Sequence, residues 1–325
     1  MTEGVAPAPD LAITFCGLRL ATPLVLLSGC VGFGQEYSRV EGWSDAEVGA
    51  VCLKGTTGSA RLGNPPHRVC ETPMGMINAI GLQNPGVEAV VRDILPRLDF
   101  SATRYFANVS GSTIEEYIAV TRAFDDSPVH AIEINISCPN VKQGGVQFGN
   151  DPEMSARVVA ACRAATNKPL IVKLSPNQTD IQKNARLCVE AGADAFAVIN
   201  TLTGMAIDIR SQKPVIGNTQ GGVSGPAIKP IALYKVWQVY QVTRTHGIPV
   251  IGQGGIASAS DAIEFLLAGA SAVGIGTALF YEPLICRDIN AGLRAYLAER
   301  GEGSVAALTG RAHAAAPSAS RACGC

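Results

Sequence analysis

The chain has 325 residues, 47% hydrophobic and 16% charged, and its 26 basic and 27 acidic side chains leave a formal net charge of −1. That apolar content supports a large buried core, which excludes intrinsic disorder and a small disulfide-stapled scaffold. Balanced charge without a block of one sign points away from a nucleic-acid partner and from an anionic membrane surface.

The N-terminal stretch MTEGVAPAPD carries neither a basic patch nor an apolar run, so no signal peptide is expected, and no apolar run is long enough to span a bilayer. A soluble, cytoplasmic protein is the expectation. A hairpin is predicted over 11–21, with LAITF and LRLA flanking Cys16-Gly17. Short runs rich in Val and Ile then recur at 24–27, 50–53, 104–109, 131–136, 170–174, 195–199, 248–252 and 272–276, and read as strands. Helical patterns lie between them. One covers 85–98, opened by Pro85 at a first helical position, and another covers 113–124 behind Ser112 as N-cap. Further helices are predicted at 152–166, 179–191, 227–244, 260–268 and 284–299.

Eight strands alternating with helices are what a closed parallel barrel requires, and a doubly wound open sheet is the competing α/β arrangement. The expectation is α/β: a single (β/α)8 TIM barrel over 1–305 with a small N-terminal hairpin and long βα loops. A C-terminal tail over 306–325 is expected to be poorly ordered. Two Gly/Asn/Pro-rich segments, 54–84 and 200–226, read as long structureless connections after the second and sixth strands, a kind of connection that usually carries function.

The ten cysteines are scattered singly, several inside apolar elements (Cys52, Cys162, Cys188), where a thiol behaves as a small hydrophobe. No CxxC pair is present, which argues against an iron–sulfur or zinc site carried by this chain, and Cys323 and Cys325 sit in a Ser/Ala-rich tail. The four histidines form no HxH or HExxH pattern, His246 and His313 read as solvated, and no metal site is predicted.

Glycine clusters carry the first chemical signal. Gly252-Gln253-Gly254-Gly255 follows the seventh strand, Gly274-Ile275-Gly276-Thr277 closes the eighth, and Gly221-Gly222-Val223-Ser224-Gly225 opens on the same rim. Loops after strands seven and eight of β/α barrels commonly bind phosphate through backbone N–H groups, so a phosphate-bearing substrate or a flavin is expected. The polar strand ends carry the second signal. Along Ile132-Glu133-Ile134-Asn135-Ile136-Ser137, alternation sets the isoleucines on one face and Glu133, Asn135 and Ser137 on the other. Cys138 follows at the C-terminal rim, where barrel enzymes place catalytic groups, and VKQGGVQFG after it reads as an active-site lid. The competing reading makes Cys138 one more buried thiol. Lys54 and Lys173 end or interrupt strongly apolar strands, which is costly unless each meets an anion. With Asn78, Asn108, Asn135 and Asn200 they would suit a planar ligand with several hydrogen-bonding edges and a carboxylate.

LSGCVGFG (27–34), LKGTT (53–57), NAIGLQNPG (78–86), INISCPN (134–140), VKLSPN (172–177), GGVSGPAIKP (221–230) and the GQGG…GIGT pair together resemble the dihydroorotate dehydrogenases, and within them the class 1B catalytic subunits. The resemblance runs through about residues 11–300 and implies a barrel with one FMN per chain that oxidises (S)-dihydroorotate to orotate in pyrimidine biosynthesis. It implies that Cys138 removes the C5 proton while hydride leaves C6 for the flavin. FMN contacts are implied at Ser28, Lys54, Gly55, Asn108, Asn135, Lys173, Ile199, Gly225, Gly254, Gly255, Gly276 and Thr277. Substrate contacts are implied at Lys54, Asn78, Ala79, Ile80, Gly81, Leu82, Asn135, Asn200 and Thr201. The class passes electrons to a partner subunit carrying FAD and a [2Fe–2S] cluster, with NAD as acceptor. Its assembly is a heterotetramer of two catalytic and two electron-transfer subunits around a catalytic homodimer. Two alternatives stay open: a pyrimidine-catabolic dihydropyrimidine dehydrogenase type of subunit, and a flavin-free phosphate-binding barrel.

Overall fold

In the computed structural model, residues 9–136 and 150–315 are described. Eight parallel strands close into one barrel. They are β1 (Leu24–Leu26), β2 (Ala50–Cys52), β3 (Arg104–Val109), β4 (Ala131–Asn135), β5 (Leu170–Leu174), β6 (Ala195–Val198), β7 (Val250–Gln253) and β8 (Ala272–Ile275). Neighbours in sequence are neighbours in the sheet, and β8 returns to β1 with Val273 opposite Leu24. That closure decides against the open doubly wound sheet. The strands read as almost unbroken apolar runs because the barrel buries one face and the surrounding helices bury the other. The N-terminal hairpin, Ile13–Phe15 against Leu18–Leu20, turns through Cys16 and Gly17, both at positive φ, and Phe15 stacks on Phe106 of β3 at 6.3 Å.

The surrounding helices start where the sequence supplies oxygen caps. Asp151 caps Pro152–Arg163, Asp180 caps Ile181–Glu190 and Ser258 caps Ala259–Leu267. Two expected starts move. Thr113, one residue after Ser112, caps Ile114–Asp125 by accepting the Glu116 N–H at 3.1 Å, while Glu116 reaches back to the Ser112 N–H at 2.6 Å. Pro85 does not open its helix either. Asn84 Oδ1 holds the Gly86 N–H at 2.9 Å, Gly86 caps at φ +87°, and the helix begins at Val87 before widening into π turns over Val90–Ile94.

The two long connections are not structureless. They supply the strands Val69–Thr72 and Gly75–Asn78 on one side and Leu202–Gly204 and Gly221–Ser224 on the other, which form a four-stranded antiparallel sheet beyond the C-terminal strand ends. Gly222 stands opposite Asn78 across the join, and Ile77, Ala79 and Ile216 make a small core beneath.

The expected tail boundary at 306 also moves. Val305–Leu308 forms a turn with Val305 and Leu308 fully buried, and Arg311–Ala315 continues as helix. His313, expected in solvent, stacks on Trp237 with ring centroids 3.5 Å apart, its Nε2 2.9 Å from the Ala268 carbonyl. Cys52, Cys162, Cys188 and Cys286 are buried free thiols. Among the described residues no helix is long and apolar enough to cross a membrane.

Candidate active site

A cavity of about 610 Å³ opens at the C-terminal end of the barrel, beneath the antiparallel sheet. Its volume falls in the range of about 300–1,000 Å³ typical of small-molecule sites. Three groups of residues build it.

Strand ends form the floor. Lys54 follows β2, Asn135 ends β4, Lys173 lies on β5 directly opposite Asn135, and Ile199, Asn200 and Thr201 follow β6. Asn200 Nδ2 lies 3.4 Å from Asn135 Oδ1, so the two amides are already oriented against each other. One layer lower sits Glu133, 1% exposed. Its Oε1 accepts from Asn108 Nδ2 at 2.6 Å and from the Cys52 thiol at 3.3 Å, and stands 3.8 Å from Lys173 Nζ. Burial, reinforced by Glu133, holds the Cys52 thiol well above the ordinary cysteine range, so it stays a proton donor to that carboxylate.

Glycine loops form one wall. Gly254 and Gly255 follow β7 at φ +127° and +86°, a region that disfavours L side chains. A Cβ on Gly255 would come within 2.8 Å of the Gly225 carbonyl, so the loops after β6 and β7 meet backbone to backbone. Ser28, Gly276 and Thr277 complete this wall. At its base Gln253 donates to the Ile199 carbonyl at 2.9 Å, while its Oε1 and the Oδ1 of Asn108 find no partner among the described residues. Buried acceptors left this way cost about 1–3 kcal/mol each unless a ligand or water supplies a donor.

The sheet forms the roof. Asn78, Ile80, Gly81, Leu82, Gly222 and Ser224 face the cavity.

Of the residues expected at the cofactor, Gly55 and Asn108 stand behind the cavity lining: a Cβ on Gly55 would lie 2.8 Å from Asn108 Oδ1. Of those expected at the substrate, Ala79 turns away. It follows the strand Gly75–Asn78 and is buried with Ile77 and Ile216 in the small core of the sheet, and its carbonyl accepts from Asn64 Nδ2 at 2.8 Å. The other expected contacts named for both ligands line the one cavity. Cys138 and the VKQGGVQFG segment lie outside the described residues.

Residues that sequence reading passed over also face the cavity, notably Cys30 and Gln253. Both carried a usable signal. Cys30 lies three residues after an apolar strand that ends at the rim, and Gln253 is a lone amide between glycines at a strand end. Burial pushes the Cys30 thiol up to about 11, against the pull of the Lys173 and Lys54 ammonium groups. It therefore remains a neutral thiol near pH 7 and makes a poor base.

A family model described as "Dihydroorotate dehydrogenase" matches residues 10–297. A protein of Pelobacter propionicus described as "Dihydroorotate dehydrogenase B (NAD(+)), catalytic subunit" is 51% identical over 304 residues, covering 93% of this chain and 98% of its own length. Proteins under the same description from Anoxybacillus flavithermus and Geobacillus kaustophilus are 50% and 47% identical over 302 residues, each alignment covering 93% of this chain and 95% of the relative.

Proposed function

The chain belongs to the dihydroorotate dehydrogenase family, and from that premise we propose that it is the catalytic subunit of an NAD-linked enzyme oxidising (S)-dihydroorotate to orotate in cytoplasmic pyrimidine biosynthesis. The observation that carries this reading is one cavity in which two ammonium groups and the amides of Asn78, Asn135 and Asn200 converge opposite glycine loops. Dihydroorotate offers a carboxylate, two ring carbonyls and two ring N–H groups, which need both cations and amides that can donate and accept.

The residues present fit FMN as the resident cofactor. The bare backbone of Gly254, Gly255 and Gly276 suits a phosphate, and Gln253 Oε1 is an acceptor waiting for a donor. Lys173 supplies positive charge where a reduced, anionic ring system would gain from it. Ser28, Gly225, Gly254, Gly255, Gly276 and Thr277 would hold the phosphate side, and Lys54, Asn135, Lys173 and Ile199 the ring side. When bound, FMN supplies the two-electron acceptor for the C6 hydride.

The chain's own part is binding and proton transfer. Lys54 and the amides fix the pyrimidine ring, so that its C5–C6 bond is held in one orientation. Loss of a C5 proton together with the C6 hydride leaves the C5=C6 double bond of orotate. We assign the proton to Cys138, the residue that the resemblance implies as the base; Cys30, the thiol that lines the cavity among the described residues, is held neutral by burial. Onward transfer is assigned to a partner subunit carrying FAD and a [2Fe–2S] cluster, in a heterotetramer of two catalytic and two electron-transfer subunits. The word "subunit" in the relatives' descriptions supports a partner.

Purification tests the reading. The chain should come down yellow, reduce its flavin with dihydroorotate faster than with dihydrouracil, and accept NAD only with an FAD/iron–sulfur protein attached. A colourless protein, or preference for dihydrouracil, would refute it.

A further inference from the structure

Glu133 has no place in the mechanism above, yet it is the one carboxylate that reaches Lys173 among the described residues. Its side chain is 2% exposed and that of Lys173 is 7% exposed, so the pair sits inside the barrel with little solvent screening. Three donors converge on a single oxygen: the Asn108 amide at 2.6 Å, the Cys52 thiol at 3.3 Å and the Lys173 ammonium at 3.8 Å. An acceptor surrounded only by donors is the pattern of an ionised carboxylate. The strand register sets this arrangement. Glu133 lies opposite Asn108 of β3, and two residues further along β4 Asn135 lies opposite Lys173. The carboxylate is thus one layer below the cavity floor, and Lys173 spans from it to the cavity lining.

We propose that Glu133 is a positioning residue that anchors the Lys173 ammonium from beneath and offsets part of its charge, and so sets how strongly the cavity favours an electron-rich ligand above it. This rests on the flavin reading of the same site. A carboxylate that merely filled the barrel interior would bond equally well to neutral donors and would need no lysine. Here it stands beside the ammonium of a lysine that itself lines the cavity. An uncompensated Lys173 would stabilise a reduced, anionic flavin more strongly, whereas the pair tempers that preference and keeps the site able to give its electrons onward.

The test is the midpoint potential of the flavin in the purified holoprotein, measured by reductive titration. Glu133→Gln keeps the size of the side chain and an acceptor for Asn108 and Cys52 while removing the charge. It should raise the potential, shifting the two-electron equilibrium toward the reduced flavin by about tenfold, or ~30 mV. Glu133→Asp keeps the charge but withdraws it from Lys173 by one methylene, and should raise the potential by a smaller step. It carries the test alone if the Gln variant does not fold. A flavin-loaded variant whose potential is unchanged or lower than wild type overturns the role of Glu133 and leaves the site assignment standing. A wild-type protein that binds no flavin overturns the site reading, and this proposal with it.

Discussion

Gly222→Ala probes the roof of the cavity without touching a charge. Gly222 lies in the strand Gly221–Ser224 between Thr203 on one side and Asn78 on the other. Its carbonyl accepts from Asn78 Nδ2 at 3.4 Å. A Cβ there would stand 2.0 Å from Thr201 Oγ1 and 2.6 Å from Thr201 Cβ. Rotating the threonine can remove the first clash but leaves the second, because Cβ does not move with χ1. The backbone at 201 or 222 must therefore shift, and Thr201 and Asn78 both face the cavity. Overpacking of this kind costs about 1–3 kcal/mol, and if it falls on substrate binding kcat/KM for dihydroorotate drops by roughly 5- to 150-fold. Most of the loss should appear in KM. Flavin content should stay near the wild-type level, since Gly254, Gly255, Gly276 and Thr277, which make up most of the glycine wall, lie on the loops after β7 and β8. Steady-state kinetics beside the flavin absorbance separate the two effects. A fully loaded variant with kcat/KM within about twofold of wild type would refute the roof as a substrate surface.

Cys138→Ala should keep flavin yet lose most flavin reduction by dihydroorotate, whereas Cys30→Ala should stay active; rapid-mixing absorbance decides, and the reverse ranking would move the base to Cys30. Cys138→Ser should recover activity only at higher pH, because a hydroxyl is harder to deprotonate than a thiol. Gly255→Ala, which forces a side chain at φ +86° against the Gly225 carbonyl, should weaken flavin binding by tenfold or more in fluorescence titration of the apoprotein. Stability should fall in mild acid. Burial lowers both His130, whose Nδ1 accepts the Tyr105 N–H, and His313, stacked on Trp237, below the ordinary 6.5. The unfolded chain then binds more protons than the native one, so stability is full above about 6.5 and is lost as pH drops through the native values. Thermal melts across that range should show the slope, and His313→Phe, which keeps a ring on Trp237, should flatten it.

The barrel was legible because its signal is local. A strand buried on both faces announces itself by an apolar run, and all eight runs of the sequence fall on barrel strands. Where the structure departs from the expected pattern, another residue decides the outcome, a near neighbour at Thr113 and Pro85 and a distant one at His313. Thr113 rather than Ser112 caps its helix because the Ser112 hydroxyl accepts from Arg61 and the Ser112 N–H is held by the Glu116 carboxylate, leaving Thr113 to take the Glu116 N–H. Asn84 holds Pro85 in a turn. His313 looked solvated because its partner, Trp237, is 76 residues away in sequence; nothing nearby hints at the stack.

The site divides along the same line. Its floor and glycine wall belong to strand ends, so Lys54, Asn135, Lys173, Gly254 and Gly276 could be placed from their own neighbourhoods. Its roof exists only because two connections more than a hundred residues apart pair with each other, Gly222 against Asn78. Neither segment carries the alternating apolar pattern that marks a strand, since strands of only four residues, GMIN and GGVS, are too short to show a period. Each segment read alone is a loop. Their pairing has a consequence for function: Asn78 and Thr201, which reach the cavity from different connections, share Gly222 as a neighbour. The roof therefore acts as one body, and a change in either connection should reach the substrate through the other.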